Sequence, residues 1–179
     1  MFERVTLAVS DLAASRRFYA TVLGAIGRDD WADFALEQGD AVTRNLHIGF
    51  AARSRAEVDA YWQAGVDAGY ESDGEPGERP RYTDGYYGAF LLDPDGNSAE
   101  AVHHDGVRTE GAIDHLWIRV ADLDAAAEHY RALPGVVQVN AKPGERFTFE
   151  PVARDGGTFS VVADGRPVTQ NLAMALRRA

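Results

Sequence analysis

Apolar and polar residues alternate along several short segments of the chain, and this alternation predicts β-strands with one buried face. In segment 3–10 every second residue from Val5 to Val9 is apolar. A period of two residues is the side-chain period of a strand. Segment 45–50 alternates in the same way and places His47 on the less apolar side. We therefore expect His47 to point away from the core of the protein.

Capping residues, glycines and prolines divide the rest of the first hundred residues into further elements. An Asp or Ser just before an apolar-periodic segment is a helix N-cap signal, whereas Gly and Pro end elements. The predicted elements are a helix after Asp11, a strand at 31–38, a helix opened by Ser54 and Glu57 and ended at Gly69, a loop at 71–85, strands at 86–92 and 98–104, a turn at 93–97 and a linker at 105–111.

The beginning of the chain is repeated in its second half. Residues 113–123 align with residues 2–12 at a constant offset of 111 positions. Residues 168–173 align with residues 42–47 at an offset of 126, so the second copy has gained residues before that point. An internal repeat of this kind indicates an architecture built from duplicated units.

Composition and charge exclude several classes of protein. The net charge of −10 would repel a nucleic-acid backbone and attract a cationic small molecule. No apolar segment approaches the roughly 20 residues that cross a membrane, and the N-terminus lacks the pattern of a secretory signal. The absence of cysteine removes disulfides and thiolate ligands, and it fits a cytoplasmic location. We expect no nucleic-acid or membrane partner.

Three motifs in the first hundred residues belong together. They are segment 5–12 ahead of Phe18-Tyr19, segment 47–50, and segment 86–97 with Glu100 three residues later. Together they resemble the vicinal oxygen chelate superfamily, which contains glyoxalases, bleomycin-resistance proteins and extradiol dioxygenases. The resemblance implies an α+β fold in which paired βαβββ modules form a curved mixed β-sheet, the cup that holds a ligand.

The same resemblance implies a division of the chain. Residues 1–104 are expected to form a complete domain of two modules, 105–111 a linker, and 112–179 a partial repeat of one module plus one strand. A lone module leaves an unpaired sheet edge and an uncovered apolar face. We therefore expect 112–179 to pack on the first domain or to form a homodimer, with about twice the chain mass of 19.5 kDa.

The resemblance also implies a divalent metal held by two histidines and one glutamate. His47 and Glu100 match two of these positions, and Arg4 stands at the third. A guanidinium has no free lone pair, so Arg4 cannot bind a metal. In the second copy His115 stands at the position of Arg4, while Ala173 replaces the other histidine. Both sites are expected to be incomplete, with no cofactor or a weakly bound zinc, nickel, manganese or iron ion.

In place of the metal we expect a charged pair on the floor of the cup. Arg4 and Glu100 should form bidentate hydrogen bonds there. His115 is expected to be structural, and His104 should lie about 14 Å along the strand from Glu100. The candidate catalytic residue is Glu100, the candidate metal ligands are His47 and Glu100, and the candidate ligand-binding residues are Arg4, His47, Glu100, Tyr82 and Tyr87.

Two classes of function are compatible with these residues. The first is a protein that binds a small organic molecule in the cup without a metal, as in the bleomycin-resistance branch, and Arg4 favours it. The second is a divalent-metal-dependent lyase, isomerase or dioxygenase of the glyoxalase type, and His47 and Glu100 favour it. The fold alone does not choose between them, because one fold hosts many reactions. Metal analysis of the purified protein distinguishes the two.

Overall fold

The chain is built from units that begin with a strand and continue with a helix. The computed structural model describes residues 2–104, 111–152 and 157–176. The linker predicted at 105–111 lies outside the described residues apart from Gly111. The elements are β1 (Phe2–Val9), α1 (Leu12–Gly24), β2 (Phe34–Gln38), β3 (His47–Ala51), α2 (Arg55–Asp67), β4 (Ser72–Glu78), β5 (Tyr87–Leu92), β6 (Ser98–His103), β7 (Ile113–Arg119), α3 (Leu123–Arg131), β8 (Val136–Lys142), β9 (Arg146–Pro151), β10 (Thr158–Val162) and β11 (Leu172–Leu176).

Eight of the strands form one mixed sheet in the order β4-β5-β6-β3-β7-β10-β9-β8. The sheet contains two βαβββ modules, residues 47–103 and residues 113–162. In each module the first and last strands are parallel neighbours. The two modules meet through the antiparallel pairing of β3 with β7. The expected α+β fold of paired βαβββ modules is confirmed.

The strands that build this sheet are not those expected. They come from residues 47–103 and 113–162, whereas residues 1–104 were expected to supply all of them. β1 and β2 lie in a separate three-stranded sheet, in the order β11-β1-β2. The reason is that α1 leads directly to β2, the parallel neighbour of β1, without an intervening hairpin. In the repeat the hairpin β8–β9 fills that place, and it corresponds to the increase in offset from 111 to 126. Segment 112–179 thus contributes one module plus β11, and that module pairs with residues 47–103 to form the cup.

The helices begin where the capping residues predicted. Asp11 accepts a hydrogen bond from the backbone N of Ala14 at 2.9 Å, and Asp122 does the same for Ala125 at 2.9 Å. Ser54 accepts one from the backbone N of Glu57 at 3.2 Å. Each side chain thereby satisfies an amide of the first turn that has no partner within the helix.

The loop predicted at 71–85 is a strand in its first half. β4 pairs antiparallel with β5, with shifts of register on both sides of Gly74. The sequence did not predict this strand because it contains glycines, a proline and charged residues, which are depleted in regular strands. They are tolerated here because β4 is an edge strand, where Pro76 has no second neighbour to bond and bulges are common.

A single apolar core runs beneath both sheets. It includes Val5 from β1, Ile48 and Phe50 from β3, Leu116 from β7 and Phe159 from β10, all at most 1% exposed. Because side chains alternate along a strand, the residues between these apolar positions point to the opposite face of the eight-stranded sheet. That opposite face therefore carries the polar side chains of β3, β6 and β7.

The first unit of the chain supports the strands that carry those polar residues. The buried carboxylate of Asp33, just before β2, accepts hydrogen bonds from the backbone N atoms of Ala112 and Ile113 at 3.3 Å each. The hydroxyl of Tyr19 on α1 donates to Asp93 Oδ2, in the turn before β6, at 2.9 Å. The β1-α1-β2 unit therefore holds the start of β7 and the turn that precedes β6.

Candidate metal centre and adjoining cavities

Three neighbouring strands bring two histidines and a glutamate together. Gly49 on β3 lies opposite Glu100 on β6 and opposite His115 on β7, while His47 lies two residues away on the same face. A Cβ atom on Gly49 would collide with the His115 ring. A Cβ atom on Gly88 of β5 would collide with the Glu100 carboxylate. Two positions without side chains therefore create the space in which the three polar side chains converge.

The three side chains present one donor atom each to a common point. His47 Nε2 lies 3.0 Å from Glu100 Oε2 and 3.1 Å from His115 Nε2, and His115 Nε2 lies 3.3 Å from Glu100 Oε2. All three residues are buried. Two imidazole nitrogens and one carboxylate oxygen form a donor set that zinc, iron, nickel and manganese accept. We name this cluster of His47, Glu100 and His115 the triad.

Hydrogen bonds behind the histidines orient their donor atoms. His115 Nδ1 donates to Asp114 Oδ1 at 2.8 Å. His47 Nδ1 lies 3.2 Å from the hydroxyl of Ser98, which itself donates to Asp73 Oδ2 at 2.7 Å. The Ser98 oxygen is therefore free to accept the proton on His47 Nδ1. In both rings Nδ1 faces an oxygen that can accept a proton and Nε2 faces the centre, as in histidines that bind metals in proteins.

The glutamate of the triad is oriented in a similar way. The Tyr86 hydroxyl donates to Glu100 Oε1 at 2.8 Å, which leaves Oε2 for the two imidazoles. Behind His115, the Asp114 carboxylate also accepts from His104 Nε2 at 3.2 Å. The donor atoms of the triad are thus fixed by neighbours that are themselves largely buried.

The electrostatics of the triad call for a positive charge at its centre. Burial lowers the pKa of His47. Burial acts in the same direction on His115, but hydrogen bonds to Asp114 and Glu100 outweigh it and raise the pKa of His115 to about 10. Burial would raise the pKa of Glu100, yet hydrogen bonds from His115 and His47 hold it below its usual value. A protonated His115 would supply that charge, and a divalent cation would supply it equally well. The residues present therefore fit a metal.

Two cavities open on the triad from the polar face of the sheet. The larger, of about 340 Å³, lies on the His115 side, and the smaller, of about 160 Å³, lies on the His47 and Glu100 side. Three aromatic residues line both cavities: Tyr82, Tyr86 and Trp117. The larger cavity falls in the size range of small-molecule sites.

The second module offers a hydroxyl where the first offers a carboxylate. Glu100 lies opposite Gly49 in the first module, and Ser160 lies opposite Trp117 at the corresponding place in the second. The Ser160 hydroxyl is 2.9 Å from that of Thr148. Within the ranges that the structure describes, the centre therefore has three strong protein donors, and no second carboxylate supplies a fourth.

Arg4 does not lie in the cup, and the expected pair with Glu100 does not form. Arg4 is exposed on β1, opposite Ala175 of β11, in the three-stranded sheet. The partners of Glu100 are His47, His115 and Tyr86. The expectation was wrong because the strand beside β3 is β7, so its histidine takes the place expected for Arg4.

The aromatic candidates lie on opposite faces of the sheet. Tyr82 lines both cavities, whereas Tyr87 lines neither, and its hydroxyl donates to Asp59 on α2 at 2.8 Å. Tyr86 is the neighbour that reaches Glu100, and strand parity could have shown this, since Tyr86 and Gly88 share a face.

One histidine was placed wrongly by the sequence. His115 was expected to be structural but belongs to the triad. His104 is not one of the triad and contacts the Asp114 carboxylate behind His115. The signal that could have identified His115 was the repeat itself, which puts a histidine at the start of the second copy.

Comparison with known proteins gives a consistent picture. The family model for the glyoxalase/bleomycin resistance protein/dioxygenase superfamily matches residues 25–101. Glyoxalase I from Zea mays is 15% identical, with 97% of this chain and 73% of that chain covered and a TM-score of 0.68. A candidate dioxygenase from Bacillus subtilis subsp. subtilis strain 168 is 15% identical, with 96% and 66% covered and a TM-score of 0.61.

A shorter solved structure is more similar in sequence. A glyoxalase/bleomycin resistance protein from Albidiferax ferrireducens T118 is 31% identical, with 58% of this chain and 98% of that chain covered and a TM-score of 0.49. Comparison with curated protein sequences gives no match.

Proposed function

This chain belongs to the glyoxalase/bleomycin resistance protein/dioxygenase superfamily, and on that premise we propose that it is a divalent-metal-dependent enzyme acting on a small organic molecule held in the cup. The observation that carries the proposal is the convergence of His47 Nε2, His115 Nε2 and Glu100 Oε2 within 3.3 Å of one another. Three buried donors of this kind, aimed at one point, match a metal centre better than a metal-free pocket.

Each residue of the centre has a definite role in this proposal. His47, Glu100 and His115 hold the metal, which when bound supplies a Lewis acid that polarises neighbouring oxygens of a substrate. Asp114 and Ser98 hold the imidazole rings with Nε2 towards the metal. Tyr86 holds the glutamate, and the aromatic walls of the cup keep bulk water away from the reacting atoms. Glu100 therefore acts as a ligand rather than as a free base.

The three-donor set favours one reaction class within the superfamily. Two histidines and one carboxylate with open positions are the donors of non-haem iron(II) oxygenases. Ser160 stands at the position in the second module that corresponds to Glu100, so no second carboxylate is available there to occupy an open position. We therefore favour an oxygenase, with a glyoxalase-type lyase or isomerase as the alternative if zinc or nickel proves to be the resident metal.

Metal titration tests the proposal directly. The chelator-treated protein is titrated by calorimetry with zinc, nickel, manganese and, under nitrogen, iron(II). We expect one ion per chain, and we expect His47→Ala, His115→Ala and Glu100→Gln each to weaken binding by at least about 100-fold, more than the loss of an outer hydrogen bond. His129→Ala, an exposed histidine on α3, is the matched control and should leave binding unchanged. A wild-type chain that binds no metal but retains organic ligands would instead be a binding protein.

Assembly and location are further proposals. We propose a homodimer and a cytoplasmic location, the latter because the chain has no cysteine. None of the helices in the described ranges is long and apolar enough to cross a membrane. The acidic net charge continues to argue against a nucleic-acid partner.

A further inference from the structure

We propose that the larger cavity selects ligands that carry a carboxylate, which Arg146 binds while the other end of the ligand faces the triad. The proposal rests on the proposed function for the position of that other end, and it adds the substrate class. A fitting ligand is a planar organic acid with oxygen atoms opposite its carboxylate.

Arg146 is a cation without an anionic partner in the part of the chain that the structure describes. It lies half-buried at the start of β9 and lines the larger cavity. Its guanidinium stands over the Trp117 ring, with Cζ 5.2 Å from the ring centroid. Arg119, in the smaller cavity, differs because its guanidinium is bound to Asp164 at 3.0 Å and to the carbonyl of Asn45 at 3.0 Å. The donors of Arg146 are therefore available to a ligand.

Trp117 links this guanidinium to the triad. Its ring centroid lies 5.6 Å from that of His47 and it shares a strand face with His115, two residues earlier. The distance from the Arg146 guanidinium to the His47 ring therefore cannot exceed the sum of two distances, that from the guanidinium to the Trp117 ring and that from the Trp117 ring to the His47 ring. A ligand with one aromatic ring spans such a distance, so its two ends can meet Arg146 and the triad together.

The remaining lining of the cavity suits a flat ring with polar ends. Tyr82, Tyr86 and Trp117 supply aromatic surfaces. Asn140, Thr148 and Ser160 supply hydrogen-bonding groups on the β8, β9 and β10 side. A guanidinium also matches a carboxylate in geometry, since it can bind both oxygens at once.

Acidic residues near the cavity do not cancel this preference. Asp114 is already bound by His104 and His115, so its charge is compensated. Asp84 lies exposed at the rim. Arg81, which lies over the Tyr82 ring in the smaller cavity, is the competing anion receptor, but it is exposed and its cavity has less than half the volume.

Two probes that differ only in a carboxylate measure its contribution to binding affinity. Catechol and 3,4-dihydroxybenzoate share two adjacent hydroxyls and differ in the carboxylate. Both are titrated into the zinc-loaded protein, because zinc does not change oxidation state and will not consume the probe. We expect 3,4-dihydroxybenzoate to bind at least about tenfold more tightly, as a charge-assisted bidentate pair allows. Arg146→Gln should reduce this ratio to about one, and Arg146→Lys should retain part of it, while catechol affinity stays within about twofold.

Control variants decide where the carboxylate lies. Arg81→Gln, an arginine that also stacks on an aromatic ring beside the triad, should leave the ratio unchanged. Loss of the ratio in Arg81→Gln, its persistence in Arg146→Gln, or failure of the wild-type protein to bind either acid or catechol would overturn the proposal. Zinc affinity and circular dichroism of each variant show that it has folded.

A metal-free arm distinguishes this proposal from the proposed function. In chelator-treated protein both probes should bind more weakly, yet the ratio between them should survive and should still depend on Arg146. A chain without metal affinity that keeps the Arg146-dependent ratio would refute the metal centre alone. A normal zinc titration with no carboxylate preference would refute the Arg146 proposal alone.

Discussion

At the scale of single residues, the triad depends on positions that carry no side chain as much as on its three ligands. Gly49 stands between Glu100 and His115 on the adjoining strands. Its backbone φ is not in the left-handed region, so the requirement for glycine is one of space and not of conformation. A substitution there therefore tests the geometry of the centre without touching a ligand.

We predict that Gly49→Ala weakens metal binding. The new Cβ would displace the His115 ring from its hydrogen bond to Asp114, and loss of such an outer contact costs about 10-fold to 100-fold in affinity. Overpacking should also lower the free energy of unfolding by about 1–3 kcal/mol. Zinc titration and urea unfolding measure the two effects.

Gly39→Ala is the control for this prediction. A Cβ at Gly39 meets only the Ala8 side chain, at an ordinary 3.5 Å, and its φ is also outside the left-handed region. Metal affinity and stability should therefore remain close to those of the unmodified protein. Unchanged zinc affinity in Gly49→Ala would show that the His115 ring is not confined as described.

Two of the three ligands could be located from local sequence pattern. His47 falls on the polar side of an alternating strand. Glu100 is the one charged residue among the small apolar residues of its strand, three residues after the tight turn at 93–97. Both features are visible within ten residues of chain. His115 could not be assigned in this way, because its role depends on which distant strand lies beside β3.

At the scale of elements, β1 and β7 are two copies of one strand with different partners. β1 pairs antiparallel with β11, and β7 pairs antiparallel with β3 in the equivalent arrangement. Arg4 on β1 is equivalent to His115 on β7. Ala173 on β11 is equivalent to His47 on β3. The repeat thus revealed the equivalent positions correctly. Local pattern gave no reason to prefer β7 over β1 as the neighbour of β3.

We predict that Arg4→His leaves the metal affinity within about twofold of the unmodified value, since the substitution lies on a strand that does not border β3. Sequence reasoning alone would have expected this change to complete the site and increase the affinity. Zinc titration beside His115→Ala, which should lose at least about 100-fold, gives the comparison. A substantial gain of affinity in Arg4→His would show that β1, not β7, borders the centre.

At the scale of the whole molecule, the two edges of the eight-stranded sheet differ in how they are protected. β4 at one edge contains glycines, Pro76 and acidic residues, which hinder pairing with another chain. β8 at the other edge exposes Val137 and Val139, at 38% and 44%. Charge and proline protect an edge strand, whereas exposed apolar residues invite a partner.

The reason given by the sequence to expect a dimer, a lone module with an unpaired sheet edge, does not apply, because the module 113–162 is paired with the module 47–103. The open β8 edge now provides a different reason. An isologous pairing of β8 with its copy would join two sheets across a two-fold axis, the commonest symmetry of homo-oligomers. The homodimer therefore remains a proposal with a specific surface.

We predict that light scattering at micromolar concentration gives about twice the 19.5 kDa chain mass, and that Val139→Lys reduces it to that of a single chain. The lysine places a charge opposite its own copy or near it, and like charges across paired strands are destabilising. Val168→Lys changes a valine of comparable exposure, 39%, that lies away from β8, and it should keep the dimer mass. A single-chain mass for the unmodified protein would rule out the β8 dimer. If the dimer persisted in Val139→Lys but not in Val168→Lys, the interface would lie in the region before β11 instead.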